Sequence, residues 1–134
     1  MADAVEDFLE VMRRLRTECA WKAGQTHESL VPFLREETEE LVEAIESGDV
    51  DHVREELGDV LLQVVFHAVI AEQAGAFTLD DVARGITEKM RRRNPHVFDP
   101  ASIGRSPDDP PLDPVAIDEL WEQIKRDEKR ASAS

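Results

Sequence analysis

Cysteine, tyrosine and basic side chains are all scarce in this chain of 134 residues: there is one Cys, there is no Tyr, and 16 Lys and Arg stand against 30 Asp and Glu. Each shortage removes a class of protein. A lone Cys19 closes no intrachain disulfide and supplies no paired-cysteine zinc spacing; it reads as a small, partly buried side chain in a reducing compartment, and a cytoplasmic location is expected. A formal net charge of -14 gives a phosphate backbone nothing to rest on, so nucleic acid is not an expected partner. A phosphorylated small molecule stays open, because divalent cations can stand between two sets of negative charge. No apolar run reaches the roughly 18 residues of a membrane span. The opening MADAVEDFLE is acidic and lacks the basic-then-apolar order of a secretory leader, so no membrane contact is expected either.

Strand signals are also missing. Alternating runs are absent, and the β-branched residues fall inside helical patterns. What remains is an all-α protein, read as a single domain over residues 1–134 with about five helices. Val5, Phe8, Leu9, Met12 and Leu15 mark the first helix. TECAWKAGQTHE, with Gly24, reads as a loop. Ser29 then caps a second helix, with Pro32 in its first turn, which ends at Gly48. Asp49 or Asp51 caps a third helix that ends near Gly75 and packs on the second as an antiparallel hairpin. Thr78 and Asp81 suggest a capping box for a fourth, stopped near Arg93 by Asn94-Pro95. Five of the seven prolines lie between Asp99 and Pro114, which predicts an extended loop or mobile arm at about 99–114. Asp113-Pro114 opens a last helix, and the tail ASAS at about 131–134 is expected to be disordered.

The stretch VREELGDVLLQVVFHAVIAE, residues 53–72, is apolar on nearly every side of a helical wheel and still carries Glu56 and Asp59. Carboxylates seldom enter such surroundings without a partner. Their i, i+3 spacing sets them about 60° apart, on a side continued by Gln63, Phe66 and Ile70. The preceding helix has Glu36, Glu37, Glu39, Glu40 and Glu43. Its apolar face, defined by Leu30, Phe33, Leu34, Leu41, Ala44 and Ile45, includes Glu37 and has Glu40 at its edge, whereas Glu36, Glu39 and Glu43 point away. Four carboxylates converging in a partly apolar hairpin would raise one another's pKa values unless a cation held them ionised, and hard oxygen ligands suit Mg²⁺ or Mn²⁺. The competing arrangement is a set of salt bridges to Arg35, Arg54 or the arginines of the first helix. His67 is expected to be a hydrogen-bonded core histidine and not a ligand.

QTHESL (25–30), EETEE (36–40), REELGDVLLQVVFHA (54–68), EKMRRRNPHVF (88–98) and WEQIKRDEK (121–129) together resemble the MazG nucleoside triphosphate pyrophosphohydrolases of the all-α NTP pyrophosphatase superfamily. The resemblance implies metal ligation by Glu37, Glu40, Glu56 and Asp59, and hydrolysis of a nucleoside triphosphate to the monophosphate and pyrophosphate. It also implies substrate contacts at Lys89, Arg93, Trp121, Lys125 and Trp21, a general base at Glu36, and a homodimer or higher homo-oligomer. Lys89 and Arg93 have a second reading as solvated basic residues, and Trp121 with Leu120 and Ile124 has one as a packing stripe. The chain departs from the family pattern at Cys19-Ala20-Trp21-Lys22, where relatives commonly have Cys-Pro-Trp-Asp; a base replaces an acid in a loop that bears on base selectivity. This departure keeps a second function in view, a catalytically weak helical module that binds a nucleotide or a partner and regulates it.

Overall fold

The structure, a computed structural model, describes residues 3–133. Among them there is no strand. The elements are α1 (Ala4–Glu18), α2 (Ala20–Ala23), α3 (His27–Ser47), α4 (Val50–Gln73), α5 (Leu79–Arg93), α6 (Pro95–Phe98), a 3₁₀ turn (Pro100–Ile103) and α7 (Pro114–Ala133). The all-α expectation holds, with two four-residue helices added to the five longer ones. The chain groups into two compact units that divide between Val82 and Ala83.

In the first unit α1, α3 and α4 share one core. Met12 of α1, Leu30 of α3, and Val65, Phe66 and Val69 of α4 are buried against one another, and Phe8, Leu9, Leu15, Leu62, Ile70 and Leu79 pack around them. Removing a side chain such as Phe66 from water stabilises the fold by about 1.5–3 kcal/mol. The core explains why α4 is apolar on so many sides: it meets α3 along one face and α1 along another. Arg13 of α1 fixes the second contact through Glu72 of α4, with Nε 2.9 Å from Oε2 and Nη2 2.6 Å from Oε1. That fork holds the Glu72 carboxyl below the usual carboxylate range.

The hairpin is set by local chemistry at its ends. Gly48 adopts φ 75°, a left-handed conformation that an L side chain resists, and ends α3. Asp49 then accepts hydrogen bonds from the backbone of Asp51 and His52 and starts α4. At the other end of α3 the expected boundary shifts. Thr26, not Ser29, is the N-cap, and Ser29 is the third residue of a capping box in which each side chain bonds the other's backbone N–H. The expected loop 17–28 likewise contains the last turn of α1 and all of α2. Cys19 serves as the hinge, ending α1 and preceding α2.

α5 opens on the expected Thr78–Asp81 box and ends in the second unit. Asn94 stops it by donating its amide to the Met90 carbonyl, 2.8 Å, while Pro95, harmless in a first turn, starts α6. The proline-rich stretch is a folded loop: the Ser106 N–H bonds Asp109, the Arg105 guanidinium bonds the Pro110 carbonyl, and both residues help line a cavity of about 340 Å³. Asp113 caps α7 through the Ala116 N–H. The expected disordered tail is instead helical through Ala133, where Ser132 Oγ donates to the Glu128 carbonyl; alanine and a back-bonded serine do not interrupt a helix. Ser134 lies outside the described residues. Among the described residues, no helix is long and apolar enough to cross a membrane.

Candidate metal centre and nucleotide site

Counting from the turn explains how four acids meet. Glu40 lies eight residues before Gly48 and Glu56 eight after it; Glu37 and Asp59 lie eleven before and eleven after. At 3.6 residues per turn these are about two and three helical turns. An antiparallel hairpin therefore brings the two pairs to the same height and the same side. One carboxylate oxygen from each of Glu37, Glu40, Glu56 and Asp59 lies within 4.8 Å of the others.

The surroundings are partly dry. Glu56 is only 9% exposed, and the other three are half-buried. Glu37 Oε2 and Glu56 Oε2 are buried without a hydrogen-bond partner. The Glu37 carboxyl is pushed up to about 6, first by burial and then by the charges of Glu40 and Asp59. Burial, with Asp59 and Glu40, also raises Glu56, against the lowering effect of His52. His52 Nε2 sits 3.3 Å from Glu56 Oε1 and is the one ion-pair partner of the group among the described residues. Among the described residues the competing salt-bridge arrangement is not formed: Arg54 reaches Asp51, and Arg13 and Arg14 of α1 take Glu10, Glu72 and Glu18. Buried carboxylate oxygens left without donors, in a cluster that repels itself, fit a divalent cation with oxygen ligands better than they fit a self-contained acid cluster. Gln63, one turn beyond Asp59 on the same side of α4, adds a further buried oxygen without a partner.

Trp21 stands on α2 with half its surface exposed, its ring meeting Phe33 edge-on at 5.6 Å. Phe33 precedes Glu37 by four residues, so the aromatic pair lies about one turn along α3 from the acids, on the same side. The Lys22 ammonium lies 5.4 Å from the centre of the Trp21 ring. Sequence reasoning named Trp21 but placed Phe33 in the apolar face; the i, i+4 relation to Glu37 was the available signal. It also passed over His52, which the same spacing ties to Glu56. Glu36 is exposed and stands outside the acidic group. His67, expected as a hydrogen-bonded core histidine, is hydrogen-bonded but only half-buried: its Nδ1 lies 2.7 Å from Nδ1 of His27 with the rings stacked, and its Nε2 is buried without a partner. Burial, and then His27, lower its pKa.

The second unit holds Lys89, Arg93, Trp121 and Lys125. Arg93 is already engaged: its guanidinium donates to Glu128 (3.0 Å) and lies 5.2 Å from the centre of the Trp121 ring. Arg92 binds the other oxygen of Glu128 at 2.6 Å, and the two arginines hold that carboxyl below its ordinary range. Lys125 is exposed and 3.7 Å from Glu122. Arg92 and Arg93 thus share one carboxylate partner within their own unit.

The acidic group lies within the part of the chain that matches a known protein family. The sequence matches the MazG nucleotide pyrophosphohydrolase domain over residues 25–98, which include the whole α3–α4 hairpin. It is 49% identical over 126 residues to the nucleoside triphosphate pyrophosphohydrolase/pyrophosphatase MazG of Thermotoga maritima, covering 92% of this chain and 45% of that protein. It is 38% identical over 132 residues to the nucleoside triphosphate pyrophosphohydrolase of Escherichia coli, covering 96% of this chain and 47% of that one. The chain therefore spans less than half the length of either relative. The crystal structure of a MazG-related protein from Thermotoga maritima superimposes with a TM-score of 0.72 at 25% identity, covering 90% of this chain and 98% of the other.

Proposed function

Because the chain belongs to the MazG nucleotide pyrophosphohydrolase family, we propose that it hydrolyses a nucleoside triphosphate to the monophosphate and pyrophosphate, with Mg²⁺ or Mn²⁺ held by Glu37, Glu40, Glu56 and Asp59. The observation that carries this reading is the convergence of those four carboxylates with two buried oxygens left unpartnered. Glu37, Glu40, Glu56 and Asp59 would hold the cation, which would supply positive charge toward a polyphosphate and Lewis acidity for hydrolysis at the α-phosphorus. The chain's own residues do the rest. Glu56, the most buried of the four, is oriented from α4 by His52, and the hairpin holds all four oxygens before any ligand arrives, so little ordering is left to pay for on binding. The exposed Trp21 face offers a stacking surface for a base about one turn from the acids.

Lys89, Arg93, Trp121 and Lys125, all of the second unit, are retained as substrate contacts on resemblance alone. Glu36 is retained as a candidate base on resemblance alone. A homodimer is inferred from apolar side chains that the hairpin leaves exposed: Leu57, Leu61 and Val64 on α4, and Leu34, Val42 and Ile45 on α3. A cytoplasmic location accords with the free Cys19.

The test is incubation of the purified chain with ATP, GTP, CTP, UTP and their deoxy forms in Mg²⁺, measuring monophosphate and pyrophosphate. Glu40→Gln and Asp59→Asn are expected to reduce turnover by about 10²-fold or more while helix content by circular dichroism stays the same. Undiminished turnover in both variants counts against the ligand set, and diphosphate with inorganic phosphate as products counts against attack at the α-phosphorus. Lys22, the basic residue in the substrate loop, favours one other reading: if the intact chain binds these nucleotides without hydrolysing any, it is a regulatory binding module.

A further inference from the structure

Arg16 reaches three separate pieces of chain at once: α2, the turn before α3 and the end of α4. Its Nη1 donates to the Lys22 carbonyl in α2 and, at 2.8 Å, to the Gln25 carbonyl in the turn before α3, while its Nε donates to Gln73 Oε1 at the end of α4, 2.9 Å. The side chain is half-buried. A helix of four residues leaves most of its carbonyls without intrahelical partners and has no stability of its own. α2 has little other anchorage, since Trp21 is half exposed and the remaining side chains are Ala20, Lys22 and Ala23, none of them buried. Where the indole sits is therefore decided by the backbone of residues 20–25, and two carbonyls of that backbone end on Arg16. On the far side, the Gln25 amide donates to the Trp21 carbonyl (3.0 Å) and Ser29 Oγ donates to Gln25 Oε1 (2.8 Å), linking the same turn to the start of α3.

We propose that Arg16 is a positioning residue for nucleotide binding: without touching substrate, it pins α2 so that Trp21 stays against Phe33, one turn from Glu37. The proposal rests on the function proposed above, with Trp21 as the base-stacking surface. The contacts run to backbone carbonyls, so they do not depend on the side chain at position 22; the planar guanidinium addresses α2, the turn and α4 at once, which a lysine ammonium on a flexible stem does less well.

The experiment compares wild type, Arg16→Met and Arg16→Lys on whichever of the eight common nucleoside triphosphates is hydrolysed fastest. Arg16→Met is expected to raise KM by about tenfold or more with kcat within about twofold, and Arg16→Lys to fall between it and wild type. The Mn²⁺-induced rise in melting temperature is expected to stay at the wild-type value, because the acidic group is untouched. In parallel, in a Trp121→Phe background without nucleotide, Trp21 is the sole fluorophore, and Arg16→Met is expected to increase its quenching by acrylamide. An unchanged KM, an unchanged quenching constant, or a fall confined to kcat overturns the proposal. Should Arg16→Met not fold, Arg16→Lys decides alone, and wild-type KM and quenching in that variant overturn it. Absence of turnover in wild type is a separate result that removes the proposed function itself.

Discussion

Glu37 shows how much of this site is decided by a single side chain's surroundings. Its carboxyl titrates near 6 where an unperturbed one titrates at 4.5, so between those values the folded chain holds a proton that the unfolded chain has released. The associated stability is complete below about 4.5 and is lost as the pH rises through about 6. Without divalent metal, Glu37→Gln, a neutral mimic of the protonated acid, is therefore expected to melt a few degrees above wild type at pH 7 and to draw level with it only below about pH 4.5. Taking the difference between the two proteins matters, because the depressed pKa of His67 gives an opposite slope below its ordinary 6.5 in both. Mg²⁺ at pH 7 is expected to raise the melting temperature of wild type and to do so much less for the variant; equal shifts would argue that Glu37 is not a ligand. The acids themselves were legible in the sequence. Glu37, Glu40, Glu56 and Asp59 repeat one i, i+3 spacing on faces otherwise apolar, and Glu36, Glu39 and Glu43 fell outside by the same test. The partners were not legible: that His52 reaches Glu56, or that His27 stacks on His67 across forty residues of chain, depends on where α3 and α4 come to rest.

At the scale of elements, the hairpin turn carries the geometry of the acidic group. Gly48 ends α3 in the left-handed region, with nothing within 4 Å of where a Cβ would stand. Gly48→Ala should therefore cost about 1–2 kcal/mol through backbone conformation alone, read as a lower urea midpoint at unchanged slope. A loss well outside that range would mean the turn is held by contacts and not by the glycine. Glycine, proline and Asx signals placed the ends of α4 and α5 and the start of α7 well. They failed around α2, where WKAG carries a loop-like glycine and too few apolar residues to reveal a helix. The element exists because Cys19 ends one helix and starts another, and because Arg16 satisfies carbonyls from outside. Thr26 and Ser29 were similarly ambiguous, since either can cap; the reciprocal bond between them assigns the roles.

For the whole molecule, charge and apolar surface pull in opposite directions. A net charge of -14 opposes close approach of two copies, most strongly at low salt. Yet Leu57 is 52% exposed and Ile45 59%, on helices whose other faces are buried. Sedimentation at 0.15 M salt is expected to give twice the chain mass, and the double substitution Leu57→Lys, Leu61→Lys to give the single-chain mass with helix content retained, since neither side chain belongs to the core. A monomeric wild type at concentrations of tens of micromolar would leave that apolar stripe without the partner inferred for it.

The amino-acid sequence by itself determined the all-α class, the hairpin and the identity of the four acids, because helical periodicity, capping residues and i, i+3 spacing are local and act over a few turns. Tertiary structure alone decided which oxygens are buried without partners, which carboxyl is raised to about 6, and that Arg16 reaches residues 22, 25 and 73. Burial and long-range hydrogen bonds belong to the way helices pack on one another, and helical periodicity carries no record of which distant side chain fills a given face.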